Sequence, residues 1–314
     1  MKTIHGGAIV NQNYDNYVDV ELTGGLGNQL FQYSAGLFYA NRSGKQLRLD
    51  LSFVNNGMTI HPSNTSILKL VQSTQFVIDH YNKYSVILKK IKDKLSSKSQ
   101  LFSGLRRHLI NEHQSTKLGF DEKLLIENKI ERLQGYYQSW FFANELAKQN
   151  LYIKLNLSQK SAWLKLNEKK VTSKNQIALH VRGGDYKKVK NSIGMLSEEY
   201  YINAIHVMSN KVNNARYWVF SNEIDEAELR LAHILPKNTI WVKEPKDLDP
   251  VQTLFLMSKF KNLITANSSF SWWAAWIGNP KNQVIVPNPW FRRIKSPELL
   301  IPASWSSVDS YWMD

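Results

Sequence analysis

The feature that most constrains this 314-residue chain is a regular alternation of short apolar segments with segments of helical pattern. In the C-terminal half we predict five strands from apolar, β-rich runs and four helices from a 3.6-residue apolar period or from capping residues. Strands that alternate with helices are typical of parallel sheets in α/β proteins. The predicted strands are Ile177–Val181, Tyr217–Phe220, Thr239–Val242, Asn262–Thr265 and Gln283–Val286, and the predicted helices are Glu198–Val212, Ile224–Ile234, Pro250–Phe260 and one from Ser268 to Gly278.

The N-terminal half opens with the same alternation. Val18–Leu22 and Leu47–Leu51 are predicted strands, and Gln29–Asn41 between them is a predicted helix. A glycine-rich loop with Gly24, Gly25 and Gly27 joins the first strand to the helix. At about 150 residues per domain, the chain length indicates two domains. We predict residues 1–160 as the first domain and 161–314 as the second.

The composition restricts the chemistry before any motif is considered. The chain has no cysteine, which excludes disulfide scaffolds, thiolate metal sites and cysteine nucleophiles. Lys and Arg number 40 against 26 Asp and Glu, so the formal net charge is +14. Such a surface attracts phosphate groups of nucleic acids, anionic lipids or small molecules. A basic nucleic-acid-binding protein is therefore one hypothesis, although no RNP, KH, helix-turn-helix or zinc-finger pattern is present and we expect no nucleic-acid partner.

The apolar runs are too short for a transmembrane helix, and the N-terminus shows no secretory signal. We therefore expect a cytoplasmic protein. The segment Asn82–Arg107 combines apolar residues at helical spacing with a strong excess of Lys and Arg. Two interpretations stay open: peripheral attachment to the anionic inner face of the cell membrane, or the solvated face of an ordinary helix.

Polar residues follow three of the predicted strands at the point where each strand ends. They are residues 182–185, 221–223 and 267–271. Carboxyl ends of parallel strands meet at one edge of the sheet, where α/β proteins bind ligands. Turn formation explains any one of these clusters, but three together predict a binding site.

Two of the clusters suit a diphosphate. Arg182 offers a planar fork of donors for phosphate oxygens. The helix that begins near Ser268 offers free backbone N–H groups and the positive end of its dipole. His180 is a candidate neutral donor, and Asp185 is a candidate proton acceptor. The alternatives are a structural Arg182–Asp185 pair and ordinary N-capping.

Two further motifs have structural interpretations. Asp247-Leu248-Asp249 has the D-x-D form of a metal site, but we favour Asp249 as the N-cap of the helix at Pro250. No other metal-ligand spacing is present, and we expect no metal. Trp272, Trp273 and Trp276 are predicted mainly as core residues.

With these residues in place, the chain resembles the bacterial α-1,2-fucosyltransferase family, glycosyltransferase family 11. The resemblance spans roughly residues 18–290 and is most specific in its first and last segments. The matching segments are GGLGNQLFQYSAG (24–36), LQGYYQSWFF (133–142), HVRGGDY (180–186), YWVFSN (217–222) and LMSKFKNLITANSSFSWWAAW (256–276).

The resemblance implies an α/β, GT-B-like fold, with two Rossmann-like domains facing across a cleft. It implies inverting transfer of L-fucose from GDP-fucose, without a metal, to the 2-hydroxyl of a galactoside, in glycan or O-antigen synthesis. The acceptor is then a galactose-containing oligosaccharide or a lipid-linked glycan on the N-terminal side, where Tyr136 and Gln138 are candidate contacts. The candidate catalytic residues are Arg182 and Asp185, and the candidate donor-binding residues are Gly27, Asn28, His180, Arg182, Ser221, Asn222, Asn267, Ser268, Ser269, Phe270 and Ser271.

The chain departs from the family pattern in three places. Gly183 stands where a second Arg is usual, Asn222 and Glu223 stand where two Asp are frequent, and Thr253 stands where Asp is frequent. These departures keep a further hypothesis open, that of a catalytically silent sugar-binding relative.

Overall fold

A computed structural model gives the architecture of the chain. No helix in the described part of the chain is long and apolar enough to cross a membrane. The predicted basic segment Asn82–Arg107 lies outside the described residues. The structure describes residues 16–55, 66–71, 75–77, 111–149, 151, 157, 159–171, 174–278 and 282–314.

The N-terminal part contains a parallel five-stranded sheet in the order β3-β2-β1-β5-β4. The predicted strands and helix lie within a residue or two of their expected positions, apart from an earlier helix start. The strands are β1 Tyr17–Glu21, β2 Gln46–Asp50, β3 Gln75–Val77, β4 Glu112–Gln114 and β5 Arg132–Gln134, and the helices are α1 Leu26–Ser43, α2 Ser52–Asn55, α3 Lys123–Ile126 and α4 Trp140–Lys148.

The C-terminal part contains a parallel six-stranded sheet in the order β11-β10-β9-β6-β7-β8. All five predicted strands and all four predicted helices are present, while α5 and β11 were not predicted. The strands are β6 Gln176–Val181, β7 Arg216–Ser221, β8 Ile240–Trp241, β9 Asn262–Ile264, β10 Gln283–Asn288 and β11 Ser306–Asp309, and the helices are α5 Ala162–Glu168, α6 Glu198–Ser209, α7 Ile224–Leu231, α8 Pro250–Ser258 and α9 Ser269–Ile277.

Helix α1 is buried over most of its surface, and its C-terminal end is capped. Gly36 lies against Val20 of β1, so closely that a methyl group at Gly36 would lie 2.3 Å from the Val20 side chain. Gly44 ends the helix in the left-handed conformation, at φ 69°, and its N–H bonds the last helical carbonyls. The close packing at Gly36 fixes α1, and with it the loop before α1, against the N-terminal sheet.

The two sheets are joined through aromatic packing between α1 and α9. Phe31 of α1 lies 4.6 Å from the Trp272 ring and 5.0 Å from the Trp273 ring, measured between centroids. Both tryptophans are buried, which confirms their predicted core role, and Trp276 stacks half-buried on Trp272. This packing holds the carboxyl edge of the C-terminal sheet next to the loop that precedes α1.

The arrangement confirms the predicted α/β, GT-B-like fold: two parallel sheets lie on either side of a cleft. Strand β6 is buried along its whole length, as expected for a parallel sheet covered by helices on both faces. Polar groups on such a strand are therefore confined to its ends, and the carboxyl end faces the cleft. The domain boundary at residue 160 stays a prediction.

Candidate active site

A cleft of about 590 Å³ lies between the two parts of the chain. This volume is in the range of small-molecule sites. The cleft is lined from the N-terminal side by the loop before α1 and by Tyr136 and Gln138. From the C-terminal side it is lined by residues that follow β6, β7, β8 and β9. The three polar clusters predicted from the sequence therefore meet at one opening.

The N-terminus of α9 faces this cleft. Ser268 is its N-cap residue, with extended backbone, and its hydroxyl makes no capping hydrogen bond. Ser268, Ser269 and Phe270 all line the cleft. Their position leaves the first backbone N–H groups of the helix and two hydroxyls available for an anion.

We call the donors at the tip of α9, together with Arg182, the cradle. Ser271 does not belong to it, contrary to the prediction that it contacts the donor. It is fully buried, does not line the cleft, and donates its hydroxyl to the Ser268 carbonyl at 3.2 Å. One helical turn separates Ser271 from the tip of α9, which is why its side chain turns back into the helix.

Asn267 lines the cleft, but its side-chain amide makes structural hydrogen bonds. Its amide Nδ2 donates to the carbonyls of Ile193 and Gly194 at 3.3 Å and 3.1 Å. The backbone carbonyl oxygen of Asn267 accepts from the Tyr186 hydroxyl at 3.0 Å. These bonds fix the loop after β6 against the tip of α9.

Arg182 reaches the cleft from the end of β6. One terminal nitrogen donates to Asp185 Oδ1 at 2.6 Å, and the guanidinium lies 5.1 Å from the centre of the Tyr186 ring. The Nε–H is buried without a hydrogen-bond partner among the described residues. The carboxylate and the ring therefore orient the guanidinium, and its remaining donors are available to a ligand.

His180 is buried one residue before the end of β6, and its ring lies 6.1 Å from the Phe270 ring. Burial, and secondarily the charge of Arg182, lower the pKa of His180 to about 3. The imidazole is therefore neutral at physiological pH, as the sequence predicted. Within the described chain its Nδ1 has no partner, so it can donate to or accept from a ligand in the cleft.

Two of the departures from the family pattern form one structural unit. The Gly183 N–H donates to Asn222 Oδ1 at 3.0 Å, and the Gly184 N–H donates to Glu223 Oε2 at 2.7 Å. A Cβ at Gly183 would lie 2.6 Å from Glu223 Oε2, and Gly183 does not line the cleft. A side chain at position 183 therefore points towards residue 223. Here Lys187 supplies the cation for Glu223, at 3.0 Å.

The N-terminal part contributes an amide pair to the cleft. Gln138 Nε2 donates to Asn28 Oδ1 at 2.9 Å, and Gln138 Oε1 is buried with no partner in the described residues. Tyr136 is 40% exposed on the same side. Neutral amides and an exposed aromatic ring suit sugar hydroxyls and sugar faces.

Gly27 brings the two sides of the cleft into contact. A Cβ at this position would lie 2.5 Å from the Ser269 carbonyl carbon and 2.6 Å from the Phe270 nitrogen. Only glycine permits this approach. The sequence placed Gly27 at the site, but the physical reason is helix-to-helix contact, which the sequence does not reveal.

In the D-x-D motif, Asp249 is the N-cap of α8, as the sequence predicted. Asp249 Oδ1 accepts from the Val251 N–H at 3.0 Å, and Asp249 also pairs with Lys69. No cluster of metal-binding side chains occurs in the part of the chain that the structure describes. Asp249 therefore starts α8.

Sequence reasoning missed Glu244 and undervalued Thr253. Both line the cleft at the end next to β8. The rule that found the other clusters applies to Glu244 as well, since it follows the predicted strand Thr239–Val242. Thr253 was identified only as a departure from the family pattern.

Two parallel α/β sheets facing a cleft are the architecture of GT-B-like glycosyltransferases. The sequence matches the family "Glycosyl transferase family 11" over residues 11–295, and the chain belongs to this family. It is 28% identical over 282 residues to an alpha-1,2-colitosyltransferase of Escherichia coli, covering 88% of this chain and 93% of the relative. It is 27% identical over 295 residues to the O-antigen biosynthesis glycosyltransferase WbnK of Escherichia coli, covering 86% and 93%.

Among solved structures, the fucosyltransferase NodZ from Bradyrhizobium aligns with a TM-score of 0.48 at 11% identity, covering 84% of this chain and 92% of that one. The family membership makes the chain a glycosyltransferase.

Proposed function

We propose that the enzyme transfers L-fucose from GDP-fucose to the 2-hydroxyl of a galactoside, with inversion and without a metal. The observation that carries the proposal is that Arg182 and the N-terminus of α9 line the same cleft. Together they offer a guanidinium, backbone N–H groups and two serine hydroxyls to a diphosphate. The fucosyltransferase family that the sequence resembles supports the donor, and the relatives in O-antigen synthesis support a glycan acceptor.

The reaction breaks the bond between the anomeric carbon of the donor sugar and the diphosphate oxygen. The acceptor hydroxyl oxygen attacks that carbon from the opposite face, which inverts its configuration. Negative charge grows on the departing diphosphate, where Arg182 and the tip of α9 stabilise it electrostatically. His180, which is neutral and lies two residues before Arg182, adds a polar contact without a second positive charge.

The acceptor hydroxyl must lose its proton as the new bond forms. Asp185 is our candidate proton acceptor because it lines the cleft and is held in place by Arg182. Asn28, Tyr136 and Gln138 would position the galactoside on the opposite wall. We expect a galactose-containing oligosaccharide or a lipid-linked glycan as the acceptor on this side.

Transfer of colitose is a second candidate. It is favoured by one observation, the similarity to an alpha-1,2-colitosyltransferase over 88% of this chain. Both candidates share the diphosphate cradle and differ only in the sugar.

The deciding experiment incubates purified enzyme with GDP-fucose, GDP-colitose or UDP-galactose, each with a galactoside, and determines the product linkage. We expect an α-1,2-fucosylated product from GDP-fucose, and we expect the rate to survive EDTA. Colitosyl transfer without fucosyl transfer would favour the second candidate. A strict Mn²⁺ requirement would contradict the metal-free mechanism, and binding without transfer or hydrolysis would favour the catalytically silent sugar-binding relative.

A further inference from the structure

The cleft has a second polar end, away from the diphosphate cradle. Thr253 of α8 and Glu244, in the loop after β8, line it together with apolar side chains. Apolar residues of the same loop and helix also line the cleft, namely Leu248, Pro250 and Met257, as does Phe220 of the neighbouring strand β7.

Thr253 is a buried polar group whose hydroxyl interacts with the neighbouring Glu244 carboxyl. The residue is 4% exposed, and its hydroxyl has no hydrogen-bond partner of ordinary geometry among the described residues. Buried hydroxyls in folded proteins are nearly always hydrogen-bonded. A hydroxyl that lines a cleft and interacts only weakly with Glu244 keeps hydrogen-bonding capacity for a ligand.

Glu244 places a carboxyl group beside this hydroxyl. Its side chain is open to the cleft, yet the surrounding walls desolvate the carboxyl and raise its pKa to about 7, an effect that the Thr253 hydroxyl partly opposes. No ion pair involving Glu244 is found in the described part of the chain. A carboxylate without an ionic partner is stabilised by hydrogen-bond donors, so the ligand at this end is expected to offer N–H groups.

The position of this pair in the sheet relates it to the cradle. Strand β8 is two strands from β6, which carries Arg182, and neighbouring strands are about 4.8 Å apart. The end of β8, which leads to Glu244, is thus about 10 Å along the carboxyl edge from the end of β6, which carries Arg182. A nucleoside diphosphate that lies along this edge would place its base between the apolar side chains, next to Glu244.

We propose that Glu244, assisted by Thr253, recognises guanine through the base's N1–H and 2-amino groups. Guanine presents these two donors side by side, which matches the two oxygens of one carboxylate. Uracil presents a single N–H between two carbonyls, and adenine alternates a donor with an acceptor, so both oppose the carboxylate. This inference rests on the proposed function, since it names the residues that select the nucleotide of the donor.

The inference also accounts for the third departure from the family pattern. Thr253 stands where the family frequently has Asp, so an acid is missing from α8. Glu244, in the loop after β8, places a carboxylate at the same end of the cleft. The acidic character of this end is thereby kept while the residue that provides it has changed.

The test compares binding of GDP and inosine diphosphate, which lacks the 2-amino group, by isothermal titration calorimetry. We expect the wild-type enzyme to bind GDP about 10–100-fold more tightly than inosine diphosphate, on the scale of discrimination by a bidentate base contact. Glu244→Gln should reduce this ratio at least tenfold, and Thr253→Val should weaken GDP binding less. Asp247→Asn, on the same loop but outside the cleft, is the matched control and should bind as wild type.

The outcomes separate this inference from the proposed function. If wild type prefers GDP over inosine diphosphate and Glu244→Gln shows the same preference, the assignment of Glu244 is wrong. GDP-fucose then remains the proposed donor. If wild type binds UDP or ADP as tightly as GDP, the proposed donor itself is wrong. Circular dichroism on each variant checks the fold, and Glu244→Asp repeats the test if the Gln variant does not fold.

Discussion

Two groups of charged and polar residues in this molecule are both largely buried but differ in how their members are partnered. One is the charged group on the N-terminal sheet, in which Arg132 lies 2.9 Å from Glu21 and 2.5 Å from Asp50, and Arg48 lies 2.6 Å from Asp19. The other is the polar lining of the cleft. Both are largely removed from water.

The charged group on the N-terminal sheet pairs its members with one another. Glu21, Asp50 and Arg132 belong to three neighbouring strands, so alternate side chains on one face of the sheet meet. Gln134 adds a hydrogen bond to Glu21 at 3.0 Å. Opposite charges in contact stabilise the arrangement without any ligand.

The cleft lining is arranged in the opposite way. His180 Nδ1, Arg182 Nε and Gln138 Oε1 are buried, and they have no hydrogen-bond partner among the described residues. The comparison teaches that burial of polar groups does not mark a binding site. A binding site is marked by buried polar groups that line a cleft and lack hydrogen-bond partners.

The largest expected effect concerns stability. Arg132→Ala leaves Asp50 and Glu21 without the cation they share, which should cost about 3–5 kcal/mol of unfolding free energy. Urea denaturation measures this loss, and GDP affinity of the folded variant should stay unchanged. Lys148→Ala, which removes an exposed ion pair with Glu145, is the control and should cost less than about 1 kcal/mol. Normal stability with lost GDP binding would reverse the roles we give to the two groups.

The next effect concerns catalysis. Arg182→Ala removes a preorganised donor to the departing diphosphate and should reduce kcat about 10²–10³-fold, equivalent to about 2.7–4 kcal/mol. Initial-rate kinetics with GDP-fucose measure it, and stability should change far less than in Arg132→Ala. Arg216→Ala, at the amino end of β7, is a matched control. Near-normal turnover in Arg182→Ala would contradict the proposed role of Arg182 in stabilising the departing diphosphate.

A smaller effect tests the contact between the two sides of the cleft. Gly27→Ala forces α1 away from the tip of α9 and should cost about 1–3 kcal/mol of stability, the usual scale of overpacking. Because the tip of α9 shifts, GDP affinity should fall too. Gly44→Ala is the control: its φ of 69° makes alanine strained, but nothing lies within 4 Å of the added methyl. It should lose stability and keep GDP affinity.

The smallest effect is a pH dependence. Since the pKa of Glu244 is raised to about 7, the carboxyl is mostly protonated at pH 6 and mostly ionised at pH 8. GDP affinity should therefore rise several-fold more in wild type than in Glu244→Gln over this range, as measured by calorimetry. His180, with a pKa of about 3, stays neutral throughout, and titration of GDP itself is common to both proteins. An identical pH profile for the two would contradict the role of Glu244.

Much of the fold could be predicted because local signals agree with it. The C-terminal strands are apolar runs, Pro250 follows its capping Asp249, and glycine ends α1. Strands β4 and β5 were missed because they are three residues long and carry charged side chains. Such strands are stabilised by cross-strand pairs, which a single sequence does not reveal.

By itself, the sequence determined that polar residues follow parallel strands, and therefore that Arg182 and Ser268 reach one edge of a sheet. That follows because strand direction fixes which end of each strand meets the others. Only the tertiary structure decided which polar groups are left without partners, since partners come from distant segments, as Gln138 does for Asn28. It also decided that position 183 faces Glu223 and that Glu244 joins Thr253 in the cleft, because packing between elements sets where side chains meet.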